Sequence, residues 1–178
     1  MNWDGRLIAL TSSASTEVAV IPQGAAGRGS TIYADFYTTR PIYPVTNCHL
    51  NAMVADTKKW EQSAAFLLDS HPGVKRWVKN ERLGFFIPYR NKGLPARYVP
   101  DFIMETDSDL RVIVEIKGQL SDYADVKAKA AERWVNAVNR LGQHGTWHYL
   151  LVTDPGALGQ ALNPYTTAKW DEGQFELI

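Results

Sequence analysis

Cysteine is almost absent from the 178-residue sequence, in which Cys48 stands alone. A single cysteine forms no internal disulfide, so we expect the chain to fold in the reducing cytoplasm. The sequence also lacks an apolar run of the roughly 20 residues that span a bilayer. Its first residues have neither the basic start nor the apolar stretch of a signal peptide. With 45% hydrophobic and 21% charged residues, the composition predicts a cytoplasmic globular protein with no membrane partner.

Net charge is absent too, because 19 basic residues balance 19 acidic ones. Proteins that bind polyanions are often basic overall, so the total gives no support to a nucleic-acid partner. The distribution is less even, and the segment from Val74 to Arg97, here called the basic run, holds one acidic residue, Glu81. Its cations are Lys75, Arg76, Lys79, Arg82, Arg90, Lys92 and Arg97. Such a run is either a solvated face or, beside a metal site, a surface that contacts phosphates.

Turn and strand signals divide the chain into two parts. Residues 1–53 contain loop signals and two strand-like runs, Glu17–Ile21 and Thr31–Tyr37. This segment is interpreted as a linker to a domain absent from the sequence or as part of a sheet edge. Residues 54–178 have a clearer pattern and are predicted to form the main domain.

Hydrophobic periodicity predicts an α/β architecture for the second part. Asp56 is a good N-cap for a helix reaching about Ser70, and Gly142 is placed to end a helix that begins near Asp122. A second helical stretch is predicted at 74–80, and the tail to Ile178 is weakly patterned. Strands are predicted at 84–89, 98–106, 110–117 and 147–153. The expected order is therefore helix, three strands, helix, strand.

Three residues of the predicted hairpin carry the chemistry. Glu115 and Lys117 are two apart on one strand, so their side chains share a face, while Val114 and Ile116 point the other way. A tight turn at Asp107–Asp109 is centred on Ser108, and Asp101 and Glu115 each lie seven residues from that centre. They are therefore expected to be neighbours across the ladder, with both carboxylates on the face of Lys117.

Two adjacent carboxylates repel each other unless a proton or a cation lies between them. A hard divalent ion with oxygen ligands fits this position, and the backbone carbonyl of Ile116 can add a ligand. Such an ion polarises a phosphodiester and activates a water molecule. Lys117 can orient that water and offset charge in the transition state. The alternative is that Asp101 and Glu115 are exposed hairpin residues, with Glu115 and Lys117 forming a weak ion pair.

Pro100-Asp101 followed by Glu115-Ile116-Lys117 on the next strand resembles the PD-(D/E)XK nuclease superfamily. More narrowly, residues 54–155 resemble the C-terminal endonuclease domain of type III restriction enzyme Res subunits. The resemblance rests on Tyr98-Val99-Pro100-Asp101-Phe102, Val114-Glu115-Ile116-Lys117-Gly118, Ala131-x-x-Trp134-x-x-Ala137-x-Asn139 and Gly142-x-x-Gly145-x-Trp147. It implies a restriction-endonuclease-like mixed sheet flanked by helices. It also implies Mg²⁺, for which Mn²⁺ is a substitute, and cleavage of double-stranded DNA by Asp101, Glu115 and Lys117.

Two further site residues come with the resemblance or the strand pattern. Many members of the superfamily carry a carboxylate on the first helix, and Glu61 is the candidate here; the alternative is an edge residue that reaches solvent. Gln119 shares the face of Lys117 and contacts phosphate or water, or it simply starts the next loop. The predicted DNA contacts are Lys75, Arg76, Lys79, Arg82, Gln119, Lys127 and Lys129.

The sequence Gly24-Ala25-Ala26-Gly27-Arg28-Gly29-Ser30-Thr31 imitates a phosphate-binding loop but has Ser30 where the lysine is needed. No ATP site is therefore expected in this chain. In that family the nuclease domain follows a helicase-type ATP motor. The chain is therefore expected to be a fragment or a stand-alone relative, and residues 1–53 a linker to the absent motor domain or part of a sheet edge. Such a motor and a specificity subunit are the expected partners. The alternatives are a non-cleaving DNA-binding or assembly module, and a nuclease acting on branched DNA or RNA.

Overall fold

The structure, a computed structural model, describes residues 11–13, 16–20, 40–50, 52–54, 59–118 and 122–171. The strands in chain order are β1 (Thr11–Ser13), β2 (Thr16–Val20), β3 (Ile42–Pro44), β4 (Ala52–Val54), β5 (Val74–Lys79), β6 (Ile87–Asn91), β7 (Leu94–Tyr98), β8 (Phe102–Thr106), β9 (Arg111–Ile116) and β10 (Trp147–Val152). The α-helices are α1 (Lys59–Ser70), α2 (Asp122–Leu141) and α3 (Leu158–Leu162). The class is mixed α/β, as expected.

A four-stranded mixed sheet in the order β10-β9-β8-β5 forms the centre of the fold. β5 and β9 are both antiparallel to β8, and β10 is parallel to β9. The connection between the parallel strands contains α2, as a parallel pair requires a long crossover. Three two-stranded sheets, β1-β2, β3-β4 and β6-β7, lie outside this one.

Each face of the four-stranded sheet has its own apolar core, because side chains alternate along each strand. On β9, Ile113 faces the core formed with α2, here called the α2 face. Val112, Val114 and Ile116 face the core formed with α1 and α3, here called the α1 face. The predicted division of β9 is therefore confirmed for Val114 and Ile116.

Helix α2 has the predicted bounds, and its apolar stripe explains its position. Ala130, Ala131, Trp134 and Val138 are buried against the sheet. Gly142 follows the last helical residue with a φ of 62°, a left-handed conformation that glycine adopts without strain. The pattern of three- and four-residue spacings was therefore enough to predict this element.

The helix predicted at 74–80 is wrong, since these residues form strand β5. The strand pairs along β8, with a bulge between Val74 and Arg76. Val74, Trp77 and Val78 are buried, and β-branched and aromatic residues favour a pleated surface over a helix. The Trp77 indole N–H also donates to Asp69 at 2.9 Å, which fixes the strand against the end of α1.

The predicted order of helix, three strands, helix and strand is corrected accordingly. The strand expected at 84–89 overlaps β6, which begins at Ile87 and reaches Asn91. The stretch expected as one strand at 98–106 is interrupted after Tyr98, the last residue of β7, and resumes at Phe102, the first residue of β8. β6 and β7 pair with each other as a separate hairpin. Proline lacks the N–H that a central strand donates, which accounts for the division. The fourth strand of the central sheet is therefore β5, and the strand predicted at 84–89 is not part of that sheet.

Some predictions fall beyond the described ranges. Asp56 and the run Thr31–Tyr37 lie outside them, while β2 corresponds to the run predicted at Glu17–Ile21. The tail contains α3, whose Leu158 and Leu162 are buried in the core of the α1 face. Among the helices of the described ranges, none combines the length and apolarity needed to cross a bilayer.

Candidate metal and nuclease site

The hairpin β8–β9 has the predicted register. Phe102 pairs with Val114 and Met104 with Val112, so the turn is centred on Ser108. Asp101 directly precedes the ladder, and its continuation places Asp101 opposite Glu115. Asp101 and Glu115 have the strand parity of Ile103 and Ile113, which face α2. Both carboxylates therefore belong to one face, as the sequence predicted.

Backbone amides connect the two carboxylates reciprocally. The Asp101 N–H donates to Glu115 Oε2 at 3.2 Å, and the Ile116 N–H donates to Asp101 Oδ2 at 2.8 Å. Each carboxylate thus accepts an N–H from the strand that carries the other. The backbone amides at the strand ends therefore hold the two acids close together.

Glu115 is 2% exposed, and burial of a carboxylate is costly unless hydrogen-bond donors or cations contact it. Oε1 lies 2.6 Å from Lys117 Nζ. Oε2 accepts from the Asp101 N–H and, at 2.8 Å, from the Tyr98 hydroxyl. These three donors offset the loss of water around the carboxylate.

Lys117 is the ammonium partner of the pair and opens toward solvent, with 32% of its side chain exposed. Burial lowers the pKa of Lys117, but the hydrogen bond and charge of Glu115, with Asp101 and Glu61 beyond, outweigh burial and raise the pKa above its ordinary value. Lys117 is therefore charged at neutral pH. It is a cation in contact with Glu115 and within electrostatic reach of Asp101.

Tyr98 and Tyr149 belong to the site although sequence reasoning did not single them out. Tyr98 is fully buried, and its hydroxyl lies 3.3 Å from that of Tyr149. Burial, followed by the charge of Glu115, raises the pKa of Tyr98 far above its ordinary value. Burial likewise raises the pKa of Tyr149 to about 12, with Glu115 adding to the effect. Tyr149 pairs with Ile113 and so lies on the α2 face, whereas Tyr98 entered the sequence analysis only as the first residue of Tyr98-Val99-Pro100-Asp101-Phe102, with no role assigned to it.

Glu61, the predicted helix carboxylate, forms an ion pair with Lys79 at 2.9 Å, and both side chains are largely buried. Its charge reaches Lys117, whose pKa it helps to raise. Within the described part of the chain, no three acidic, histidine or cysteine side chains form a group that could hold a metal ion. Glu61 therefore lies near Lys117 but does not complete a three-carboxylate cluster with Asp101 and Glu115.

The structure separates the predicted DNA contacts of the basic run. Lys79 pairs with Phe102, next to Asp101, whereas Arg76 pairs with Glu105. Arg76 is three strand residues before Lys79 and is therefore about 10 Å farther from Asp101 along the strand. Arg76 forms a 2.8 Å ion pair with the buried Glu105, and Lys75 contacts Asp109 at 2.9 Å. Of the strand cations, Lys79 alone stands at the end of β5 nearest Asp101.

The remaining predicted contacts divide between the site and its surroundings. The ammonium of Lys127 lies 5.4 Å from the ring centroid of Tyr98, the tyrosine whose hydroxyl contacts Glu115. Lys129, two residues along the helix, points away and pairs with Asp125 at 2.7 Å. Arg82 follows β5 in a left-handed backbone conformation, with a φ of 54°. Gln119 lies outside the described residues.

The donor set suits a hard divalent cation. The N–H and C=O of one strand residue point to the same neighbouring strand, so the Ile116 carbonyl is directed to the side of Asp101. Two carboxylates and a carbonyl supply oxygen ligands only. Magnesium is usually held by one or two carboxylates and keeps several water molecules. Asp101, Glu115 and Ile116 therefore fit Mg²⁺ or Mn²⁺ without a third acid.

Known proteins offer no guide to this arrangement, since no family model, curated protein or solved structure matches the chain.

Proposed function

We propose that this chain is a metal-dependent DNA endonuclease domain of the PD-(D/E)XK type. One observation carries the proposal: Asp101 and Glu115 meet on one face of the sheet, with Lys117 in contact with Glu115. Carboxylates that share a site are costly unless a cation compensates them. A structural ion pair would need one carboxylate, whereas this site holds two.

The topology supports the same proposal. A mixed four-stranded sheet with α1 on one face and α2 on the other is what a restriction-endonuclease-like fold requires. Asp101 directly precedes β8, and Glu115 lies near the end of β9. The two acids are therefore at the same end of the two inner strands of the sheet. By its resemblance to type III Res subunits, the substrate is double-stranded DNA. A helicase-type motor and a specificity subunit would then be supplied by other chains or domains.

Asp101, Glu115 and the Ile116 carbonyl would hold the magnesium ion, which when bound polarises the phosphodiester and favours ionisation of a water molecule. The chain's own contribution is electrostatic and positional. Lys117 is charged and partly exposed, so it can orient the attacking water and offset negative charge on the phosphate oxygens. The Asp101 and Ile116 amides keep the carboxylates in place, which reduces reorganisation during the reaction.

The experiment is a cleavage assay on supercoiled plasmid, linear duplex, branched DNA and RNA, each with Mg²⁺, Mn²⁺ or EDTA. We expect the chain to nick or cut duplex DNA with either metal and to be inactive in EDTA. Asp101→Asn and Glu115→Gln should each abolish cleavage. Asp125→Asn is the matched control, because Asp125 forms an exposed pair with Lys129 and should leave cleavage unchanged.

Metal binding is measured in parallel by calorimetry on the same variants. Binding that is lost in Asp101→Asn and kept in Asp125→Asn supports the proposed ligands. Duplex DNA binding with neither cleavage nor metal binding would overturn the proposal in favour of a non-cleaving module. Cleavage confined to branched DNA or RNA would overturn the proposed substrate.

A further inference from the structure

We infer that Tyr98 is a positioning residue for Glu115: its hydroxyl holds Oε2, so that Oε1 is the oxygen directed toward Lys117. The inference rests on the proposed function, because it concerns a ligand of the proposed metal. It assigns a role in the site to the hairpin β6–β7, whose Ile87, Tyr89 and Tyr98 also pack in the core of the α2 face. Tyr98 is the last residue of that hairpin.

The direction of the hydrogen bonds follows from proton counting. An ionised carboxylate is only an acceptor, and a tyrosine hydroxyl has one proton to donate. The Tyr98 proton therefore goes to Glu115 at 2.8 Å, and the Tyr149 hydroxyl lies 3.3 Å from the Tyr98 oxygen. Tyr149, Tyr98 and Glu115 thus form one chain of contacts, with Tyr98 in the middle.

Tyr98 itself is held from three directions. Its backbone pairs with Ile87 on β6, and its ring meets that of Tyr149 edge-on at a centroid distance of 6.5 Å. Lys127, from α2, lies over the ring. A side chain fixed by a strand, an aromatic neighbour and a cation can fix the carboxylate that it contacts.

The two oxygens of Glu115 therefore have different surroundings. Oε2 accepts from the buried Tyr98 hydroxyl and from the backbone N–H of Asp101. Oε1 faces Lys117, which is partly exposed. Without the Tyr98 hydroxyl, Oε2 keeps one donor and the carboxylate can rotate toward Lys117. Groups that orient a metal ligand typically contribute 10- to 100-fold in metal affinity or activity.

The test is Tyr98→Phe, which keeps the ring and removes the hydroxyl. We expect the Kd for Mn²⁺, measured by calorimetry, to rise about 10-fold or more, with kcat falling at subsaturating metal and the KM for DNA unchanged. Tyr149→Phe should have a smaller effect, because it removes only the second link. Tyr89→Phe is the matched control, since Tyr89 is a buried tyrosine of the same hairpin; its Kd should equal that of the unsubstituted chain.

The outcomes separate this inference from the proposed function. If the unsubstituted chain binds no Mn²⁺, the proposed function fails and the inference fails with it. If the chain binds Mn²⁺ and Tyr98→Phe binds it equally well, the inference alone is overturned. Circular dichroism checks that Tyr98→Phe is folded. If Tyr98→Phe unfolds, a fluorinated tyrosine is placed at position 98 instead, because its hydroxyl is a stronger donor in nearly the same space. The Kd for Mn²⁺ should then change, and an unchanged Kd overturns the inference.

Discussion

Two lysine–carboxylate pairs of almost equal length allow a direct test of how burial controls their contribution to stability. Lys117 lies 2.6 Å from Glu115, and Lys129 lies 2.7 Å from Asp125. The Glu115 side chain is 3% exposed, whereas that of Asp125 is 61% exposed. The variants Lys117→Met and Lys129→Met each remove one cation and keep most of the aliphatic chain. The difference between their effects therefore reports the surroundings of the remaining carboxylate.

The expected magnitudes differ several-fold. Removing one partner of a fully buried pair typically destabilises a protein by about 3–5 kcal/mol. Glu115 keeps the Tyr98 hydroxyl and the Asp101 amide, and Lys117 is itself partly exposed, so we expect about 2 kcal/mol for Lys117→Met. An exposed pair four residues apart on a helix is worth about 0.3–0.5 kcal/mol, so Lys129→Met should be close to neutral.

Urea denaturation followed by circular dichroism measures both variants. With a slope of about 2 kcal/mol per molar urea, Lys117→Met should lower the midpoint by about 1 M, and Lys129→Met by about 0.2 M. The double variant Lys117→Met/Glu115→Gln should recover part of the loss, because no buried carboxylate is left with too few donors. Equal effects of the two single variants would refute the argument and show that Glu115 is solvated in solution.

Two further predictions concern the surroundings of the site. Lys127→Ala should weaken duplex DNA binding and reduce its salt dependence by about one counterion. Lys129→Ala should change neither, because Lys129 points away from Tyr98. A salt titration of binding by fluorescence anisotropy compares the two variants, and equal slopes would show that Lys127 does not contact the DNA. A Cβ built on Gly118 would overlap the outer end of the Trp60 ring, which is half-exposed and can turn aside, so Gly118→Ala should destabilise the fold by no more than about 1 kcal/mol. Trp60→Ala in the Gly118→Ala background should cancel that overlap, and thermal unfolding of the single and double variants measures the recovery.

The sequence was most informative where a local rule decides the structure. Alternation along β9 and the short turn at Ser108 were enough to place Asp101, Glu115 and Lys117 on one face. The spacing of apolar residues was enough for α2. In each case the determining interactions lie within one element or one hairpin.

The predictions that failed depend on contacts between distant parts of the chain. The bulge in β5 interrupts the alternation of its side chains, so its sequence has no clean period of two. Pairing with β8 and the hydrogen bond from Trp77 to Asp69 make it a strand. Tyr98 reaches Glu115 because the chain turns at Pro100 between β7 and β8. The pairing of Arg76 with the buried Glu105 likewise depends on the β5–β8 register. Sequence spacing alone contains none of these distances.

The local charge balance shows how a neutral chain could still bind a polyanion at this site. Glu61, Asp101 and Glu115 bring three negative charges, and Lys79 and Lys117 bring two positive ones, which leaves one negative charge in excess. Glu81, which also contacts Lys79, is offset by its ion pair with Arg40 and does not change this balance. A phosphate would be repelled by this cluster as it stands. One bound divalent cation reverses the balance to one positive charge in excess, in surroundings where burial strengthens each interaction. Under the proposed function, metal binding and phosphate binding are therefore coupled through these five side chains, and the net charge of the whole chain does not determine either.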